Sequence, residues 1–368
     1  MKVVYFGAFD AAASPRVRML REGLRRNGVE VIDCHATGTA LPRWSRLSLA
    51  LPRAARDADL LLVGKPGQRE MPLARLWANA LGLPLALDLF ASLWLNEVTE
   101  RRRVAPAALA ARKLRMLDRF ALRHADLCLV DTIAHGRTIA ESLLPGRAIA
   151  PQRRVFVGAE PCFVPRTPPP VGDALEALFV GTFIPFHGVE VILRAAALLR
   201  AEPRLRFTLL GDGQERPAME ALAAELALPN VRFEAPIDYP LLPARLARAD
   251  LALGIFGTSA TARAVIPKKV FAALATGVPV VTGDGEGVRE ALDESCAYLC
   301  PAGDPAALAA TLQRALADGP RREEIAARGI ALHRANFTPT ATGGACRLAL
   351  AELLNRTRGL PSLAESFR

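Results

Sequence analysis

Lys268 and Lys269 stand directly after Pro267 in Leu251–Asp284, LALGIFGTSATARAVIPKKVFAALATGVPVVTGD. The segment reads as strand, loop, short helix, strand. Leu251–Phe256 is apolar and of strand length, and Gly257–Ser259 is a small-residue loop. Pro267 opens a helix whose core face is Val270, Ala273 and Leu274, and Thr276-Gly277 closes it before the next strand. Chemically this is an anion site in outline. Free backbone N–H groups, the positive end of a helix dipole and two ammonium groups all favour negative oxygens. Arg263, five residues earlier, adds a third cation. An ordinary strand–helix unit with a solvated lysine pair has the same residues, and both readings stand at this point.

Other residues with chemical potential also follow strands. In VGTFIPFHG, Val180–Gly188, Gly181 permits close backbone approach and Gly188 opens a helix with His187 at its positive end. A phosphate held there is one reading; an exposed histidine at a helix start is the other. In LLGDGQER, Gly211 and Gly213 mark a tight turn where a ligand or simply another backbone can approach. TGDGEGVRE, Thr282–Glu290, imitates a dinucleotide fingerprint but lies too late in its domain to be one. Near the start, FGAFDAAASPR places Gly7 in a strand-to-helix loop, Ser14 at an N-cap and Pro15 at the first helical position. Asp88, in LALDLFASLW, follows a strand directly and is a candidate general base, or else a turn cap. Trp94 lines a cleft or is a half-buried structural residue. His124, at a helix end, reads as structural. His135 is the same or faces the cleft.

The elements that must position these residues alternate along the chain. Strands are expected at Lys2–Phe6, Val29–Cys34, Asp59–Val63, Pro84–Leu87, Leu127–Val130 and Arg153–Val157. Further strands fall at Ala177–Val180, Phe207–Leu210, Val231–Phe233 and the segment at Leu251. Helical patterns fall between them. Such alternation implies parallel sheets built by right-handed crossovers and covered on both faces. Glu160–Asp173, EPCFVPRTPPPVGD, holds five prolines and forms a stiff connector. The expected fold class is therefore α/β, with two doubly wound Rossmann-like domains, 1–167 and 168–340, facing a cleft. Ligands of this architecture bind at the C-terminal ends of the strands.

Composition narrows the function classes. At 368 residues two domains are the expectation. Residues 1–170 carry 26 Lys+Arg against 15 Asp+Glu, or +11, and 171–368 carry 21 against 22, or −1, which sum to the +10 of the chain. A basic first half suits an anionic substrate or a membrane face, or reflects solubility alone. No zinc-finger, RNP-type or homeodomain pattern accompanies the charge, so nucleic acid is not expected. The six cysteines are scattered, without a second Cys or His pair at metal-ligand spacing, so no metal site is expected and reduced thiols in the cytoplasm fit best. MKVVYFGAFD reaches an acid before any signal-like run develops, and the apolar stretch Leu76–Leu95 is broken by Pro84 and Asp88. A soluble or peripheral protein is expected.

The order of these pieces resembles a known family. From Leu178 to Ala317 the chain is similar to the donor-binding half of GT-B glycosyltransferases, particularly family 4. VGTFIPFHG, LLGDG, NVRFEAPIDYPLLPARLARADL, IPKKVFAALATGVPVVTGD and Glu290 appear in the family's order. The opening strand–loop–helix, ADLCLVDT and VFVGAEPCFVP resemble its first half. The resemblance implies transfer of a sugar from a nucleoside diphosphate sugar, with retention and without a metal or tightly bound cofactor. It implies that the last helix, near Thr340–Asn355, crosses back, so that 341–368 joins the first domain. Residues implied at the donor are Gly7, Gly181, Thr182, Phe183, Gly188, Gly211, Gly213, Arg263, Lys268 and Lys269. His187 would serve the leaving diphosphate and Asp88 the acceptor side.

The chain departs from the family at charged positions. Ala272 stands where a glutamate usually holds the donor ribose, and Ala264 where a second glutamate contacts the sugar. His187 replaces the lysine of a Lys-Gly pair, Thr182 an arginine, and Phe90 a histidine. Losing one charge-assisted ribose contact costs about 1.5–3 kcal/mol. Two functions are therefore in view. One is an active glycosyltransferase whose basic domain holds an anionic, lipid-linked or surface-glycan acceptor, in the cytoplasm or at the inner face of the membrane. The other is a non-catalytic scaffold of the same shape, binding a glycan or partner enzyme. A sugar-nucleotide epimerase fits less well, since proton abstraction needs positioned carboxylates.

Overall fold

The computed structural model describes residues 1–9, 14–167 and 174–360. Among them, every strand pairing is parallel, in two six-stranded sheets. The first sheet comprises β1 (Lys2–Gly7), β2 (Glu30–His35), β3 (Leu60–Val63), β4 (Leu85–Asp88), β5 (Leu127–Val130) and β6 (Gln152–Arg154), in the order β2-β1-β3-β4-β5-β6. The second comprises β7 (Leu175–Val180), β8 (Leu205–Leu210), β9 (Val231–Glu234), β10 (Leu251–Leu253), β11 (Val280–Asp284) and β12 (Tyr298–Pro301), in the order β12-β11-β10-β7-β8-β9. In each, the chain runs outward from the middle and then reverses. This is the doubly wound arrangement expected from the alternation of strands and helices.

The strands explain themselves by their period of two. In β1, Val3 and Tyr5 pack on one face with Leu60 and Leu62, while Val4 and Phe6 pack on the other with Leu61 and Val63. Both faces are covered, so LLLV of β3 and LCLV of β5 are buried throughout. In the second sheet Phe179, Phe207 and Leu209 share a core with Ile192 and Leu193 of helix Val189–Leu198 and with Leu308 and Leu312 of helix Pro305–Ala317. Each such fully buried side chain contributes roughly 1.5–3 kcal/mol.

Contacts divide the chain into Met1–Val157 with the segment from Thr338 onward, and Gly158–Phe337. The final helix, Pro339–Thr357, packs on helix Pro15–Arg26. Cys346, Leu350 and Leu353 join Val17, Leu20 and Leu24 in one core. The two helices approach backbone to backbone: a Cβ on Gly343 would lie 2.0 Å from the Gly23 carbonyl carbon. The described part of the proline-rich connector is stapled to the second unit. Arg166 donates from its backbone to Thr276 O at 2.9 Å and from its guanidinium to Ala247 O and Ala249 O. Pro168–Asp173, the rest of that connector, lie outside the described residues, as do Asp10–Ala13 of the loop after β1 and the tail from residue 361.

Several elements differ from the sequence reading. Helices Ala40–Ala54, Met71–Leu81 and Gly319–Asn336, and strand β12, are additional. Ala40–Ala54 contains two prolines that read as breakers: Pro42 sits in its first turn, where an N–H has no intrahelical acceptor to lose, and Pro52 forgoes one hydrogen bond, but only in the last turn. β10 ends at Leu253 rather than Phe256. A Cβ on Gly254 would lie 2.2 Å from Thr282 Oγ1, so the chain there is pressed against β11. Phe256 N–H then turns to His187 O at 3.0 Å.

Candidate functional site

The loops at the C-terminal ends of β7, β8, β10 and β11 pack backbone to backbone in the second unit. Glycines make this possible. A Cβ on Gly211 would lie 1.9 Å from Gly181 O, and one on Gly213 would lie 2.5 Å from Phe183 O. Gly188 is left-handed, and its Cβ would meet Gly257 N at 2.5 Å. Gly285 touches Arg263 in the same way, with Arg263 O at 2.5 Å. Phe183 N–H donates to Asp212 O at 2.9 Å, and Glu215 N–H to Phe183 O at 3.0 Å. The four loops therefore form one continuous floor.

At Gly181 two basic side chains meet that floor. A Cβ there would lie 2.9 Å from Lys269 Nζ and 3.3 Å from His187 Cε1. Only glycine leaves room for the amine. Lys269 comes from the first turn of helix Lys268–Thr276, and its Nζ sits 3.6 Å from the centroid of the Phe179 ring. The residue as a whole is partly exposed, yet its Nζ is sealed from solvent and has no hydrogen-bond partner. Burial holds its pKa well below the ordinary lysine value. His187 ends the short helix Pro185–His187, and its Nδ1–H donates to Thr182 O. That bond leaves Nε2 an acceptor in the neutral ring and a second donor in the protonated one.

Of the donor residues expected from the sequence, Gly181, His187, Gly188, Gly211, Gly213 and Lys269 come together. Phe183 needs a correction: its ring is 0 % exposed, edge-on to Phe179, so only its backbone belongs to the loop floor. Thr182 and Lys268 are exposed beside this floor, and Arg263 is exposed on helix Ala260–Ala264. Ala264 and Ala272 are both buried, 3 % and 6 % exposed.

Gly7 and Asp88 lie in the first unit. Gly7 has φ +136° at the end of β1, a conformation that favours glycine. Asp88 needs a second correction. It is 1 % exposed, and Arg16 grips it through Nη2–Oδ1 at 2.9 Å and Nε–Oδ1 at 3.2 Å. Arg16 also donates to Val155 O at 2.7 Å and Phe156 O at 2.9 Å. Burial pulls the Arg16 pKa down, but the Asp88 charge and hydrogen bond outweigh it and leave it raised. A carboxylate so enclosed ties β4 to helix Pro15–Arg26 and to the strand-end segment after β6. It presents no open face to a substrate. His135, in the first turn of helix Ile133–Leu143, is buried with its Nδ1 2.6 Å from Asp131. His124 is structural: it stacks on Phe120 and its Nδ1–H donates to Phe120 O at 2.9 Å.

One positioning residue was not anticipated. Arg216 opens helix Arg216–Glu225, donates to Gly211 O and, at 2.9 Å, to Glu234 O, and pairs with Glu220. Its guanidinium also lies 5.9 Å from the ring centroids of both Phe183 and Phe233. The signal was present in the sequence: an arginine three residues past G-D-G, at the start of a helix, is within reach of the turn's carbonyls.

The second unit is similar to known proteins. Residues 174–318 match the family described as Glycosyl transferases group 1. A D-inositol 3-phosphate glycosyltransferase of Thermomonospora curvata is 36 % identical over 173 residues, 44 % of this chain and 39 % of that protein. One of Thermobispora bispora is 33 % identical over 207 residues, 53 % and 47 % of the two chains. The chain thus spans less than half the length of these curated relatives. Among solved structures, Anabaena Alr3699/HepE in complex with UDP matches with a TM-score of 0.70 at 16 % identity, covering 95 % of this chain and 100 % of that one. Sucrose-phosphate synthase from Thermosynechococcus elongatus matches with a TM-score of 0.72 at 17 % identity, covering 96 % and 99 %. At those identities the likeness is one of fold.

Proposed function

Given a GT-B fold whose second unit matches the group 1 glycosyl transferases, we propose that this protein transfers a sugar from a nucleoside diphosphate sugar to an acceptor. The diphosphate lies over Gly181, with Gly188, Gly211 and Gly213 allowing its close approach. His187 and Lys269 neutralise the charge that develops on the leaving group, and Lys268 and Arg263 extend the positive field. Basic side chains gathered on the bound diphosphate do the work that a divalent metal does elsewhere, so the transfer is metal-independent. Retention at the anomeric carbon follows from the family resemblance. The observation that carries the reading is the convergence of Lys269 Nζ and the His187 ring on Gly181.

The acceptor is an anionic or lipid-linked glycan precursor, and the protein acts at the cytoplasmic face of a membrane. Two observations support this. The positive excess lies entirely in residues 1–170. Two helices of that half also expose apolar side chains among arginines: Leu41 and Leu49 at 80 % and 82 %, and Leu109 and Met116 at 80 % and 62 %. Arginines beside exposed leucines suit an anionic lipid surface. Among the described residues no helix is long and apolar enough to cross a membrane.

The test is calorimetry with UDP, GDP and ADP. Binding at about the micromolar level, roughly 8 kcal/mol, and its weakening by Lys268→Ala, are expected. No heat with any nucleoside diphosphate would remove the proposal. The rival reading, a scaffold without catalysis, draws on Ala264, Ala272 and the enclosed Asp88. Nucleotide binding with neither donor hydrolysis nor transfer, together with co-purification of a stoichiometric partner, would favour it.

A further inference from the structure

Lys269 is oddly placed for a residue whose task is to hold an anion. Its Nζ is buried, makes no hydrogen bond and rests on the face of Phe179. An ammonium with three donors and no acceptor is costly to bury. The aromatic face recovers part of that cost by attracting the cation but offers none of the three acceptors. The nearest loops pair no carboxylate with it: the turn after β8 carries Asp212, whose Oδ1 accepts from Gly213 N–H at 2.7 Å. The loop after β7 brings His187, which is neutral or cationic, and its own helix brings Lys268. Among the described residues no carboxylate pairs with it, and its depressed pKa is attributed to burial alone.

We propose that the ε-amino group of Lys269 is uncharged in the ligand-free protein and captures a proton as a diphosphate settles over Gly181, so that occupation of the site is proton-linked. This rests on the donor-site reading above. The amine meets the ligand by leaving the Phe179 face, which the flexible lysine side chain allows, and a glycine at 181 puts no side chain in its way. The incoming oxygens supply the acceptors and the negative charge that the resting site lacks. The proton comes from solvent, and no bond other than N–H forms. The resting site thus avoids an uncompensated buried charge, yet presents a full cation once the ligand is bound. A permanently charged residue at position 269 would forgo this switching.

The experiment is titration calorimetry of the full chain with UDP at pH 6.5–9.5, in buffers of different ionisation enthalpy. The parent should take up close to one proton above the resting pKa of Lys269. Its affinity should then fall about tenfold per pH unit. Lys269→Arg, which cannot shed its proton, should bind without that uptake and with a flat profile over the same range, His187 being common to both. The free protein gives a second readout: the ¹³Cε signal of Lys269, identified by its loss in Lys269→Met, should titrate well below about 10.4. UDP binding without uptake, equal uptake in Lys269→Arg, or an ordinary titration midpoint would each overturn the inference and leave the donor reading intact. Failure of UDP, GDP and ADP to bind at any pH would overturn both.

Discussion

Arg16 and Asp88, drawn from the first helix and the fourth strand, form a fully buried ion pair with Nη2–Oδ1 at 2.9 Å, and their side chains are 1 % and 0 % exposed. The pair locks three segments of the first unit together, since Arg16 also donates to Val155 O and Phe156 O. A carboxylate at the C-terminal end of a strand is where a catalytic base is sought, and here that position serves architecture.

Asp88→Asn or Asp88→Ala should therefore lower stability by about 3–5 kcal/mol, because each leaves a buried guanidinium without its counter-charge. Urea unfolding measures this. The double variant Arg16→Met/Asp88→Leu should recover much of the loss. If Asp88→Asn abolished transfer while leaving the unfolding midpoint unchanged, the structural role would be refuted.

Gly181 and Gly211 should separate function from folding. At Gly181 the nearest atom to an added methyl is Lys269 Nζ, the mobile end of a long side chain. Gly181→Ala should cost less than about 2 kcal/mol of stability while weakening UDP binding tenfold or more by displacing the amine. At Gly211 the nearest atom is a backbone oxygen at 1.9 Å and φ is +141°. Gly211→Ala should cost more stability than Gly181→Ala by over about 1 kcal/mol. Equal unfolding midpoints for the two variants would contradict this account.

Lys269→Met should alter the pH dependence of stability with a defined sign. Burial depresses the Lys269 pKa in the folded state. Between that depressed value and the ordinary lysine value of about 10.4 the unfolded chain binds more protons, so the penalty shrinks as pH rises. Relative to Lys269→Met, the parent should gain up to about 1.4 kcal/mol per pH unit across this window. Below it, the parent should be the less stable of the two. Parallel stability curves from thermal melts at pH 6–10 would count against the depressed pKa.

Arg216→Ala should loosen the turn after β8. It removes donors to Gly211 O and Glu234 O and the guanidinium's cation–π contacts with Phe183 and Phe233. A stability loss of about 1–3 kcal/mol is expected, with weaker UDP binding. Arg216→Lys should rescue little, because one ammonium cannot reproduce the planar fork. Full rescue by lysine would show that charge alone matters.

The alternation of apolar strands with amphipathic helices was enough to determine two parallel sheets, and the Gly-rich turns were enough to place candidate binding loops after β7 and β8. Those signals are local: strand period, caps and left-handed turns depend on neighbours a few residues away. The helix Ala40–Ala54 escaped because its prolines argue against a helix in any short window, while its register against the sheet is a tertiary matter. Which charged residue is enclosed by a partner and which is left without one is likewise decided only in three dimensions. Asp88 and Lys269 look alike in the sequence, one charge each at a strand or helix end. Folding encloses the first in a guanidinium 72 residues away and strands the second over a benzene ring without a partner. Burial and long-range partners govern the cost of a charge, and neither is written in local spacing.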